Sequence, residues 1–316
     1  MKRALPILAV LVVLLAAIAV ANPFFLEPAG FLAFLKRAAP LVILAAGQYF
    51  VVVSGEFDLS VGSLVTAEVV IAARLIDGDE SATWPVLALL IVAGLLVGLV
   101  NGVLTTKLRV PSFIVTLGML LVLSGAVFLW TGGAPRGALS EGFRAFGRGG
   151  LGPVPWSVLI MLAAGAAAVW LMRADFGKTL MATGDNERAA ALSGVRVDRA
   201  KIFAFMLSGL SAAVAAILLG GFAGVSAQAG QGLEFSAITA VVLGGVVLGG
   251  GRGSVLAAMA GAVTLEALFT LLNLYGISGA LEFTVQGVII IAAVAAGNVR
   301  LPRKPTPRRG DVHAAS

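Results

Sequence analysis

The chain has 316 residues, one histidine and no cysteine, and 59% of it is hydrophobic against 12% charged. A mean hydropathy of +1.03 and long apolar runs remove it from the soluble globular range and place it in the membrane class. Without cysteine there is no disulfide framework and no thiolate metal site, and His313 stands alone in a polar tail. The net charge of +6 sits mainly between apolar runs, the positive-inside pattern, so no nucleic-acid partner is expected.

Met1-Lys2-Arg3 and the apolar run 4–21 read as a first span or as a secretory signal with Ala19-Val20-Ala21 as its cleavage site; a retained span is favoured because the run exceeds a usual signal core. Residues 22–37 are expected as an external connection, with Phe31–Leu35 along the interface and Lys36-Arg37 poorly placed outside. Further spans are expected near 38–54, 59–75, 85–104, 111–131 and 155–172, then 202–222, 235–249, 254–272 and 281–297. Gly55-Glu56-Phe57-Asp58 interrupts the second and third. Gly94, Gly98 and Gly102 recur every four residues in the fourth, a stripe that lets a second helix backbone approach. Thr105–Arg109 is a short basic inner loop, Pro111 opens the fifth span, and 132–154 is a Gly/Pro-rich outer loop.

The longest polar interval, 173–201, carries Arg173, Lys178, Arg188, Arg196, Arg199 and Lys201 and is therefore cytoplasmic. Within it Asp185 is a suitable N-cap, Glu187 suits the helix dipole, and Gly194 can close the helix in the left-handed region. The helix predicted there has about eight residues, too short to stand alone in water, so it needs a surface to dock on. We read it as a coupling helix that receives force from a cytoplasmic motor, with an ordinary loop as the bland alternative. Ten spans with both ends inside give an all-α polytopic protein: one permease domain over 1–297 and a basic, disordered cytoplasmic tail over 298–316. Glu56-Phe57-Asp58 is echoed by Glu234-Phe235-Ser236, which suits an inverted five-plus-five repeat.

Chemistry-bearing motifs are few. Gly177-Lys178-Thr179 looks like the end of a phosphate-binding loop, but Met172 stands where the first glycine belongs, so no ATP site is expected in this chain. No metal cluster or nucleophile–histidine pair is present, and the chain is not expected to be an enzyme. Carboxylates inside spans cost about 2.5–3.5 kcal/mol each to insert and so face protein or water. Asp58 and Glu56 stand at the break, Glu68 and Glu266 deep in spans three and nine. A pathway role and structural pairing are both open for Asp58, while structure is favoured for Glu68 and Glu266. A proton-coupled secondary carrier would also use such carboxylates, but it would not need the Ala-rich helix.

Gly55-Glu56-Phe57-Asp58-Leu59-Ser60-Val61-Gly62 resembles a signature segment of the ribose-type sugar ABC permeases. Pro111-Ser112-Phe113-Ile114-Val115-Thr116-Leu117-Gly118 with Thr131-Gly132-Gly133 is similar to that family's next block. Gly184-Asp185-Asn186-Glu187, followed by Ala189-Ala190 and Leu192-Ser193-Gly194-Val195, matches its cytoplasmic signature. Val242-Leu243-Gly244-Gly245 with Gly249–Ser254 matches its late glycine block.

The resemblance implies an inner-membrane permease subunit paired with a second copy. It also implies two ATP-binding subunits that supply ATP and Mg, and a periplasmic binding protein that delivers a sugar or related polar solute. It assigns coupling to Gly184, Asp185, Asn186, Glu187, Arg188, Ala190, Leu192, Ser193 and Gly194; Glu56, Asp58, Ser60, Ser63, Glu68 and Thr116 are the pathway or gate candidates. Glu56 and Phe57 depart from the Gly-Ile usual before Asp-Leu-Ser, and branched-chain amino-acid permeases remain the second reading.

Overall fold

The computed structural model describes residues 5–277 and 279–298. It is nearly all helical. Helix α1 (Leu5–Ala21) leads through a single 3-10 turn at Pro23–Leu26 into α2 (Pro28–Val53), then α3 (Val61–Ile76), α4 (Thr83–Lys107) and α5 (Ser112–Thr131). A connection carrying α6 (Glu141–Arg148) and a small antiparallel ribbon of β1 (Gly150–Leu151) and β2 (Val154–Pro155) precedes α7 (Trp156–Arg173). Two short helices, α8 (Asp175–Asp185) and α9 (Glu187–Leu192), lead into α10 (Val197–Ala223), α11 (Leu233–Leu243), α12 (Val255–Leu274) and α13 (Gly279–Asn298). Among the described residues α2, α4, α5, α7, α10 and α12 are long and apolar enough to cross a membrane.

Helix α10 is the hub. Its 27 residues, about 40 Å of helix, pack against α2, α3, α4 and α6. In a bilayer the lipid is as apolar as the helix surfaces, so close backbone approach has to supply much of the association energy. The glycine stripe of α4 provides it: Cβ atoms at Gly94, Gly98 and Gly102 would run into the carbonyl of Gly209, the carbonyl of Phe205 and the Cα of Ile202. The stripe is packing, as its spacing implied.

Several boundaries differ from the sequence reading, each for a local reason. Residues 22–37 are not an external connection: Pro28 occupies the first helical turn and α2 runs unbroken through Phe31–Leu35 and past Pro40. Lys36 lies over the ring of Phe222, 5.2 Å from its centroid, and Arg37 shares a cavity with Glu266 and Glu282, so both basic residues have local partners. Thr105-Thr106-Lys107 belongs to α4, not to a loop. The 132–154 stretch is more than a loop, because Ser140 caps α6 by accepting from the Phe143 N–H at 3.2 Å and Phe143 is wholly buried. The span expected over 235–249 ends as a helix at Leu243, after only 11 residues, and Gly244–Ser254 continues as turns. The basic tail lies, apart from Asn298, outside the described residues.

Candidate functional site

The polar interval folds as two helices, not one. Asp185 closes α8, and the N-cap of α9 is Asn186, whose Oδ1 accepts from the Ala189 N–H at 3.0 Å. Asn186 takes that place because its backbone is extended (φ −158, ψ 97), leaving its side chain free to turn back onto the first turn. Helix α9 is therefore six residues long. Gly194 follows it at φ +83, in the left-handed region expected.

Ala190 is turned inward, while Leu192 stands 84% exposed, a large apolar side chain left uncovered by the described residues. Phe176 anchors the pair of helices, packing edge-on to Phe203 at 5.0 Å and tilted against Phe50 at 6.0 Å. Gly177-Lys178-Thr179 lies in the first turns of α8. There Lys178 donates to Asp175 at 2.8 Å, and that hydrogen bond lowers the Asp175 carboxyl from its ordinary pKa.

Beside α9 the ends of three elements converge. The Gly251 N–H donates to the Val53 carbonyl at 2.8 Å, and Gly184 is packed against the same carbonyl and against the Gly251 nitrogen. Lys201, at the start of α10 and only 8% exposed, donates to Glu56 at 2.6 Å and to Glu187 at 2.8 Å. One buried ammonium thus joins the first residue of α9 to the helix break between α2 and α3.

The break itself is tightly bonded. Asp58 is buried, and its Oδ1 accepts from the Ser60 N–H at 3.0 Å and the Ser60 hydroxyl at 2.6 Å. Asn101 of α4 donates to that hydroxyl at 2.9 Å. Phe57 is held at both backbone groups: its N–H donates to Ser112 at 3.2 Å and its carbonyl accepts from Thr116 at 3.4 Å. Asp58 and Ser60 therefore share one network with Asn101, Thr116 holds the adjoining Phe57 backbone, and Glu68 lies on α3, fully buried with neither carboxylate oxygen hydrogen-bonded.

A cleft of about 470 Å³ opens farther along, between α3, α5 and the segment before α11. Gly62, Ser63 and Thr66 line one wall, Leu120, Ser124, Val127, Phe128, Thr131 and Gly133 another, and Ala227, Gln228, Gln231 and Glu234 the third. Residues 224–232 run without helix here, with Gly230 donating to Thr66 at 2.9 Å. Non-helical backbone among spanning helices is tolerated where it lines a polar cavity. Among the described residues, hydroxyls and amides make up most of the polar lining, and Glu234 is the single charged side chain in it. Leu120 lines the cleft and also joins an apolar cluster with Phe57, Leu59, Ile238, Val242 and Leu248, so the cleft and the break share one apolar cluster.

Of the six residues singled out as pathway candidates, Ser63 alone lines the cleft. Sequence reasoning passed over Thr66, Ser124, Gln228, Gln231 and Lys201 as site residues, and met Glu234 only as part of an echo. The α5 wall was within reach: positions 120, 124, 127, 128 and 131 share one helical face. The third wall was not, since it depends on where a non-helical segment folds back.

Long apolar helices packed around α10 define a multi-helix membrane protein. The family described as "Branched-chain amino acid transport system / permease component" matches residues 30–294, and the chain belongs to it. It groups there with the ribose-type permeases, as its four motif blocks implied. The ribose import permease protein RbsC of Bacillus subtilis is 37% identical over 293 residues, covering 90% of this chain and 89% of the relative. RbsC of Escherichia coli K12 is 35% identical over 294 residues, 91% of each chain. The autoinducer 2 import system permease protein LsrC of E. coli is 34% identical over 264 residues, 82% of this chain and 76% of the relative. The family is one of permease components and not of enzymes. No solved structure matches the chain.

Proposed function

We propose that this chain is the membrane-spanning subunit of an ATP-driven importer that carries a monosaccharide or related polar solute across the bacterial inner membrane by alternating access. The observation that carries this reading is the cleft: hydroxyl and amide groups suit a polyhydroxylated neutral solute, and among the described residues the lining offers no cation to take up a carboxylate or phosphate. That lining favours a sugar over a branched-chain amino acid. The relatives' names, ribose import and autoinducer 2 import, point the same way.

In this reading α9 faces the cytoplasm and is the coupling helix, with exposed Leu192 as its contact for a separate ATP-binding subunit that holds ATP and Mg. A second copy of this chain completes the pathway, and a periplasmic binding protein loads the cleft from the opposite face. The apolar cluster at Leu120 is the closed barrier beneath a cleft open to the outside. Ten spans, both termini cytoplasmic, arise as an inverted five-plus-five repeat in which the short helices α3 and α11 correspond. Their contact at Gly62 and Glu234 near the cleft supports that pairing.

Reconstitution of the chain with its ATP-binding subunit and binding protein tests this, with labelled D-ribose as the probe and phosphorylated ribose as the comparison. Uptake of ribose that needs ATP and exceeds that of the phosphate ester supports the reading. Uptake driven by a proton gradient by the chain alone would establish a secondary carrier instead.

A further inference from the structure

We infer that Lys201 is a positioning residue that transmits displacement of α9 to the apolar cluster at Leu120 through Glu56. The inference rests on the importer reading above and adds a physical path to it. Glu187 opens α9, Glu56 belongs to the helix-free segment 54–60, and the two carboxylates share the single ammonium of Lys201 at 2.8 and 2.6 Å.

The shared ammonium is almost fully buried, on the central helix α10. An unpaired buried charge costs several kcal/mol, so Lys201 cannot release one carboxylate without redistributing its bonds to the other. Displacing Glu187 therefore changes the hold on Glu56. The next residue is Phe57, whose N–H and carbonyl are bonded to Ser112 and Thr116 of α5 and which, like Leu120, packs against the buried cluster of Leu59, Ile238 and Val242. Segment 54–60 has no helical ladder of its own and is held instead by the bonds to Lys201, Ser112 and Thr116 and by the Asp58–Ser60 turn, so a shift at Glu56 is passed to them. A chain of contacts is a route only if both ends bias a two-state element, and that element here is the apolar cluster that Phe57 and Leu120 share.

The chain has no cysteine, so Leu120→Cys gives it one reporter thiol. The complex with its ATP-binding subunit and binding protein, reconstituted in proteoliposomes, is treated with a membrane-impermeant thiol reagent. Labelling of this chain is compared without nucleotide and with ATP plus vanadate. With Lys201 intact the labelling rate should differ about tenfold between the two states, within the usual span of inter-site coupling. Adding Lys201→Met should leave less than about a twofold difference, outside that span, while ATP hydrolysis continues, and Lys201→Arg should keep the switch. If Lys201→Met alone does not fold, Glu56→Gln with Lys201→Met removes one carboxylate together with the ammonium and serves the same comparison. Full switching without the ammonium overturns the relay and leaves the importer standing. A thiol that never switches, even with Lys201 present, overturns the importer reading and the relay with it.

Discussion

Gly184 lies against the carbonyl oxygen of Val53, so close that a methyl group on its Cα would occupy the same space. Since Gly251 donates to that carbonyl as well, the ends of α2, α8 and the glycine turn before α12 are joined at one atom. Gly184→Ala should destabilise the protein by about 1–3 kcal/mol, the usual cost of inserting a methyl group into a filled site. Thermal unfolding in detergent reads this directly, and an unchanged Tm would mean that the three ends are not packed together.

Helices α4 and α10 touch through backbone, which makes their contact intolerant of volume. Gly98→Leu puts a side chain where the Phe205 carbonyl and the Met206 Cα already sit, and should lower Tm and the yield of folded protein. Val92→Leu, on a half-exposed position of the same helix, should leave both unchanged.

Asp58 holds its own turn and does not line the cleft. Both donors from Ser60 reach Oδ1, an atom that asparagine also presents, so Asp58→Asn should retain most of the stability. Asp58→Ala leaves the Ser60 N–H without its acceptor and should cost about 1–3 kcal/mol. Uptake and Tm measured together decide the role. Loss of uptake in Asp58→Asn at unchanged Tm would move Asp58 from scaffold to pathway.

Ser124 occupies the α5 wall of the cleft between Leu120 and Phe128. Ser124→Trp should fill much of the space and abolish solute uptake, while the chain still folds and assembles with its partners. Normal uptake kinetics in this variant would place the pathway elsewhere.

How much of this was legible depended on what each feature encodes. The spans and the glycine stripe follow from composition and helical period, which are local properties, and so does the break at Gly55–Asp58. The N-cap was misplaced by one residue because aspartate and asparagine are equally good caps and only the backbone angle at position 186 separates them. The eighth span was drawn too long because Gly244–Gly249 is apolar enough to pass for helix, yet Gly245 adopts a positive φ; Gly250, Gly251 and Gly253, which do so too, fall in the stretch expected as a turn. Lys201 read as one more basic residue of a cytoplasmic loop. Its partner Glu56 is 145 positions away, and only the fold brings the two together. The cleft was hidden for the same reason, since its walls come from three separated segments.

The account stands or falls on α9 as the seat of a separate ATP-binding subunit. The most direct test is affinity purification of the tagged chain from its own cells in mild detergent, beside Leu192→Asp. Leu192 is 84% exposed and left uncovered by the described residues, so the variant should match the parent in Tm and yield. The account predicts that the parent brings down an ATP-binding subunit and that Leu192→Asp loses most of it. Equal recovery with both would contradict the assignment of α9, and a parent that purifies alone would contradict the importer.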